Sequence, residues 1–267
     1  MTWIELPGRD DVVGLRAANP GPFTLSGTNS WIVGADPAWL IDPGPALDEH
    51  VDRLAAELER RGGLGGIALT HDHADHAEAV ALIRARFPAA ALAAARGEVD
   101  VRLGDGDRFG PLEALATPGH AVDHLAWLAG PVAFSGDAVL GEGSVFVAPD
   151  PGALVGYLAG LARLRDRRPV VLCPGHGPLV EDPRTRIDGY IEHRLDRERR
   201  LVAALDGGAR SVAEMLDGAW PEVGEPLRAA AAVTLAAHLD KLESEHRLPA
   251  DVERPDLQRL GLGSIHP

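Results

Sequence analysis

Apolar positions along the chain follow two periods. Short apolar runs beside turn signals predict strands at 31–34 and 38–41, then at 67–70, 112–116, 125–128, 131–134 and 170–173. Leu47, Val51, Leu54, Ala55 and Leu58 recur at helical spacing and predict a helix over 47–60, stopped by Gly62 and Gly63. An Ala-rich segment predicts another over about 77–87. This alternation is the pattern of an α/β unit and occupies residues 1–183. Residues 184–267 differ. They read as a helix from about Arg186 to Leu205, a short helix capped by Ser211 with Glu214 three positions on, and a third helix from about Pro226 to His246. Three helices and a tail that could form a wing predict a small helix-turn-helix-like module.

Composition narrows the classes. A chain of 267 residues, 45% hydrophobic and 25% charged, can bury a core of its own and is not a disordered chain. Cys173 is the only cysteine, which excludes an intrachain disulfide and fits a reducing compartment. It reads as a small buried apolar residue rather than a nucleophile. No run approaches about 18 apolar residues, and residues 1–30 lack the basic start and apolar run of a secretory signal. The expectation is a cytoplasmic protein without a membrane segment. The formal net charge is −14, of which residues 1–183 carry −11 and residues 184–248 carry −2. That balance disfavours non-specific nucleic-acid binding, and the helical module has no basic patch for a duplex.

The chemistry is concentrated in Thr70-His71-Asp72-His73-Ala74-Asp75-His76. On an extended segment residues i and i+2 project to one side, so His71 and His73 can grip one ion. As the chain turns into a helix, Asp75 and His76 can face a second. Imidazole and carboxylate suit Zn²⁺, with Mn²⁺ or Fe as alternatives. Thr117-Pro118-Gly119-His120, Phe134-Ser135-Gly136-Asp137 and Cys173-Pro174-Gly175-His176 each place a donor after a strand and a glycine. Five His and two Asp are enough for two ions with an open position each. His50, His193, His238, His246 and His266 read as surface or packing residues.

These motifs resemble the metallo-β-lactamase superfamily, from Asp42 in Ile41-Asp42-Pro43-Gly44 through His176. The resemblance implies a four-layer αβ/βα sandwich with metals at one edge. It implies that His71, His73 and His120 hold the first ion, that Asp75, His76 and His176 hold the second, and that Asp137 bridges them. Asp42 would be structural. Two such ions can share a nucleophilic hydroxide, which Asp75 would orient as the catalytic residue.

Within the superfamily the chain is most similar to the β-lactamase-like protein 2 group. The similarity rests on Gly27-Thr28-Asn29-Ser30, on Asp123-His124 after His120, on Ala138-Val139-Leu140-Gly141-Glu142-Gly143 after Asp137, and on His193-Arg194-Leu195-Asp196-Arg197-Glu198-Arg199. It implies a C-terminal winged-helix region and, for some members, endonucleolytic cleavage of single-stranded RNA. It puts Asn29 near the site. His124 either contacts substrate or supports its strand. An RNA strand would need a groove built from arginines such as Arg194, Arg197 and Arg228. Two other readings stand beside the RNA phosphodiesterase. One is a glyoxalase II-like hydrolase of small thioesters or lactones, which the acidic surface favours. The other is a regulatory nucleic-acid-binding protein with structural metals. A homodimer is implied by resemblance alone.

Overall fold

The computed structural model describes residues 1–258. Seven strands form the first sheet, in the order β1 (Thr2–Glu5), β2 (Val12–Arg16), β3 (Asn29–Val33), β4 (Ala38–Ile41), β5 (Leu64–Ala68), β6 (Ala91–Ala94) and β7 (Val101–Arg102). The second sheet holds β8 (Arg108–Phe109), β9 (Leu112–Ala116), β10 (Leu125–Ala129), β11 (Val132–Gly136) and β12 (Val171–Pro174), in the order β12-β11-β10-β9-β8. Helices α1 (Asp48–Arg60), α2 (Ala74–Ala77) and α3 (Val80–Arg86) fall within the first half of the chain, and α4 (Ala153–Asp166) precedes β12. Helices α5 (Pro183–Asp206), α6 (Val212–Ala219) and α7 (Glu225–Ser244) follow.

Strand alternation sorts the core into layers, because successive side chains leave a strand on opposite faces. Trp31 and Val33 of β3 meet Leu125, Trp127 and Phe134 between the sheets. Ile32 and Leu40 point the other way, onto Leu54 and Leu58 of α1 and Ile83 of α3. Ala126 and Leu128 pack outward against Leu161 and Leu164 of α4 and Ile187 of α5. The result is helix, sheet, sheet, helix, as the motifs implied. With both faces of β3, β10 and β11 covered, their residues are all buried. That is why these strands read as continuous apolar runs.

The C-terminal helices have a core of their own, built from Leu201, Leu205, Met215, Leu216, Trp220, Leu235 and Leu239. Helix α5 belongs to both units: Ile187 and Tyr190 pack in the main body, Leu201 and Leu205 in the helical core. It begins earlier than the sequence predicts, because Asp182 caps it and Pro183 sits in its first turn. Ser211 and Glu214 form the expected capping box of α6. No strand occurs among the described residues 245–258, so the wing is not formed there; His266 lies outside the described residues. No helix among the described residues is long and apolar enough to cross a membrane.

Candidate metal centre and its cavity

Four strands deliver the site. Thr70 to His76 follow β5, His120 follows β9, Asp137 follows β11 and His176 follows β12. Donors far apart in sequence converge because these strand ends lie at one edge of the two sheets. Among the described residues, three groups have donor atoms within 4.8 Å of one another: His71, His73 and His120; His71, His76 and Asp137; and Asp75, His76 and His176. The first and third are the two sets the motifs implied, and Asp137 lies between them. Gly175 makes this approach feasible, since a Cβ there would lie 2.4 Å from Asp137 Oδ1 and 2.7 Å from His76 Cε1.

Hydrogen bonds behind the donors set their protonation. Asp42 is 1% exposed. Its carboxylate accepts the Thr70 N–H and O–H, each at 2.7 Å, and His76 Nδ1–H at 2.9 Å. Because the Thr70 proton goes to Asp42, the hydroxyl oxygen accepts from His71 Nδ1 at 2.9 Å. His120 Nδ1 donates to Phe146 O and His176 Nδ1 to Gly27 O, both at 3.4 Å. In all four rings Nε2 is therefore the nitrogen left facing the cluster. His73 is turned the other way. Its Nδ1 sits 3.0 Å from both His71 Nε2 and His120 Nε2, and its own Nε2 has no partner. Asp137 Oδ1 is likewise buried without a hydrogen bond.

Electrostatics fits a cation. Burial opposes charge on His76, but Asp137, Asp75 and Asp42 outweigh it and raise its pKa to about 9. Burial is outweighed in the same way at His176, where Asp137 and Asp75 raise the pKa to about 10. A carboxylate field that holds protons there so firmly also holds a divalent ion in their place. Burial pushes His120 down to about 4, leaving a neutral imidazole suited to a metal.

Two residues expected near substrate stand behind the site instead. Asn29 is fully buried and absent from the cavity lining. Its amide donates to Pro174 O and Gly177 O at 3.0 Å and accepts from Arg16 Nε, so it clamps the loop that carries His176. His124 is 1% exposed, and its Nε2 accepts the Asp137 N–H at 3.0 Å while Nδ1 donates to Thr117 Oγ1 at 2.8 Å. Burial drives its pKa to about 3, consistent with a neutral ring that positions Asp137.

A cavity of about 370 Å³ opens from the donors His73, Asp75, His120, Asp137 and His176. Its far walls are mainly apolar: Phe23 and Leu25 from one loop, Val145 and Phe146 from another, and Trp220, Val223, Leu227 and Ala231 from α7 and the turn before it. His193, Arg194 and Arg197 of α5 also line it, with Ser144, Glu222 and Thr234, so His193 is one of the packing residues rather than a surface one. Sequence reasoning assigned neither Trp220 nor Leu227 to the site. Nothing in their local spacing signals it, because the α6–α7 turn and α7 reach the cavity only through tertiary packing. The arginines expected along an RNA groove are placed otherwise. Arg194 and Arg197 are 2% and 6% exposed, and Arg228 pairs with Asp217 at 2.9 Å.

Comparison with known proteins gives three relatives of note. The metallo-beta-lactamase superfamily profile matches residues 23–100. A beta-lactamase-like protein 2 homolog from Caenorhabditis elegans is 34% identical over 214 residues, 73% of this chain and 71% of that protein. An atrochrysone carboxyl ACP thioesterase from Aspergillus chevalieri is 34% identical over 209 residues, 73% of this chain and 65% of that protein. Among solved structures, a metallo-beta-lactamase family protein from Thermus thermophilus superposes with a TM-score of 0.71 at 25% identity, covering 90% of this chain and 95% of that one.

Proposed function

The chain belongs to the metallo-beta-lactamase superfamily of hydrolases, and from its cavity we propose that its substrate is an acyl thioester with an apolar acyl group. The observation that carries this reading is the wall opposite the donors. Helix α7 and the turn before it bring Trp220, Val223, Leu227 and Ala231 over the metal centre and leave a pocket of about 370 Å³. Such a pocket is sized for a small ligand and lined for an apolar one. A relative named as an acyl-carrier thioesterase supports the same class.

His71, His73 and His120 would hold one divalent ion, and Asp75, His76 and His176 a second, with Asp137 between. Bound there, the ions, zinc being the first to test, would supply polarisation of the scissile carbonyl and a lowered pKa for water. Asp75 is the chain's own group for the attacking water. Its side chain is 29% exposed on the cavity wall, and Thr28 Oγ1 fixes its Oδ2 at 3.0 Å. Burial is outweighed by His76 and His176, which hold its carboxyl well below the usual carboxylate range, so it stays ionised and orients the water rather than storing its proton. A thiolate leaves readily, since thiols ionise near pH 8.5, so the wall needs no strong general acid. Consistent with this, burial and the Arg194 charge hold His193 down at about 4.

The RNA reading is weakened by one specific finding: Arg194 and Arg197 are buried in the wall of a small cavity rather than displayed along an open surface groove. The test sets thioester hydrolysis against cleavage of labelled single-stranded RNA, with the same metal-loaded preparation. His73→Ala serves as control in both. Thioester turnover that disappears in His73→Ala, without RNA cleavage, is the expected result. RNA cleavage that disappears in the control, with thioesters untouched, overturns the proposal in favour of a phosphodiesterase.

A further inference from the structure

Arg194 is a buried charge on the cavity wall that forms no ion pair among the described residues. Its hydrogen bonds go to neutral oxygens, Ser144 Oγ at 3.0 Å and the Val145 carbonyl, and its buried Nε has no acceptor. The Tyr157 ring lies 5.6 Å from its Cζ. One turn further on, Arg197 also has a buried Nε without an acceptor, but its charge is paired: it donates to the Ala219 carbonyl and the Glu222 carboxylate. A guanidinium is almost never buried without an anion beside it. Of the carboxylates on the same wall, Glu222 is taken by Arg197, and neither Asp75 nor Asp137 comes within ion-pair distance of Arg194. His193 on the same wall is held neutral, and His238 is fully buried with neither ring nitrogen hydrogen-bonded. Burial and then the charge of Arg194 push His238 down to about 3.

The position of this charge matters as much as its isolation. Arg194 bonds the carbonyl of Val145, and His120 bonds the next carbonyl, that of Phe146. The Phe146 ring packs 4.7 Å from the His120 ring. One two-residue stretch thus ties the arginine to a metal donor within the same cavity.

We infer that Arg194 is an anion-binding subsite, and that the substrate carries a second anionic oxygen group, a carboxylate or phosphate, beside its scissile bond. The inference rests on the thioester reading for the scissile bond, but not for the anion. The group has two sources, a carboxylate on the acyl chain or the phosphate of a pantetheine-type thiol carrier. A planar guanidinium suits either, because its N–H fork matches both oxyanions.

The test uses equilibrium binding to the metal-loaded protein of thioethers that cannot be hydrolysed. One pair is an ω-carboxyalkyl thioether and its methyl ester. The other is an alkyl thioether of phosphopantetheine and its dephosphorylated form. The anionic member of one pair should bind on the order of 10- to 100-fold more tightly, the range of a charge-assisted hydrogen bond. That preference should fall close to unity in Arg194→Gln, and which pair shows it identifies the source. Arg194→Lys keeps a charge without the fork and should retain a reduced preference, which decides the matter if Arg194→Gln does not fold. No preference in the wild type for either pair overturns the inference. So does a preference that Arg194→Gln or Arg194→Lys leaves unchanged, since the anion would then be binding at the metals. If the preference follows Arg194 but no thioester is hydrolysed, the subsite stands and the thioester reading falls.

Discussion

Replacing Asp42 with Asn changes one buried oxygen to an NH₂ at nearly constant volume, and its effect should reach His71, a ring it does not hydrogen-bond. Asp42 accepts three hydrogen bonds, from Thr70 N–H, Thr70 O–H and His76 Nδ1–H. An amide offers one acceptor oxygen. If that oxygen stays on the Thr70 N–H, the NH₂ confronts two donors. The Thr70 hydroxyl must then turn to accept, and His71 Nδ1, 2.9 Å away, loses its acceptor. His71 and His76 both shift their proton to Nε2, the nitrogen that faces the cluster. Two hydrogen bonds to a buried charge are lost, at about 1.5–3 kcal/mol each, so urea unfolding should show destabilisation of about 3–6 kcal/mol. Metal affinity should fall about 10- to 100-fold in competition with a chromophoric chelator. Nitrogen-15 spectra of the histidines should show the two rings changing tautomer. Wild-type zinc affinity with unchanged tautomers would refute the proton chain drawn from Asp42.

Other substitutions probe separate links. Gly175→Ala forces a methyl to within 2.4 Å of Asp137 Oδ1, and should cost about 1–3 kcal/mol and most of the activity although no donor is altered; a thermal melt and a rate equal to wild type would count against the close approach. Leu227→Ala, at a cavity position 44% exposed, should raise KM for apolar acyl thioesters about 5- to 30-fold with kcat nearly unchanged. Equal effects on polar and apolar acyl groups would remove Leu227 from the acyl wall. Ser211→Ala breaks the α6 capping box and should lower stability by about 0.5–2 kcal/mol without changing turnover. His50, fully buried, is held at about 4 by burial, against an ordinary value of 6.5. Between those pH values the unfolded chain takes a proton that folded His50 refuses. Its contribution is therefore fully present above pH 6.5 and lost toward pH 4, by on the order of 3 kcal/mol. His50→Gln should flatten that part of the urea-midpoint profile, and an unchanged slope would exclude His50 as its source.

What could be read from the residues followed the range of the interactions. The donors of Thr70–His76 sit in one local segment, and His120, Asp137 and His176 each follow a glycine that lets backbones come close, so spacing and residue type expose them. Strand β4 and helix α1 were equally legible, because one apolar period runs through each. Helix α4 was not. Its Gly156 and Gly160 argue against a helix until one sees that Gly160 lies against Thr117, where a Cβ would come within 2.9 Å of the Thr117 Cα. Strand β1 escaped because it is an edge strand with both faces partly exposed. The predicted helix over 77–87 is observed as α3, starting three residues later at Val80, with the short α2 at Ala74–Ala77 ahead of it. Arg194 looked like any solvated arginine of a charged helix. Its burial depends on Val145, Tyr157 and Ser144 arriving from nearly forty to fifty positions away, which no local pattern encodes.

The order of parts along the chain also bears on how the protein matures. Every metal donor has been synthesised by His176, whereas the cap over the cavity is drawn from Gly177 to Ser244. Those 68 residues take about 3–14 s to make at 5–20 residues per second. On the ribosome the donor cluster therefore precedes its own roof. The later docking of α5 and α7 then adds the apolar wall to a site whose donors are already in the chain.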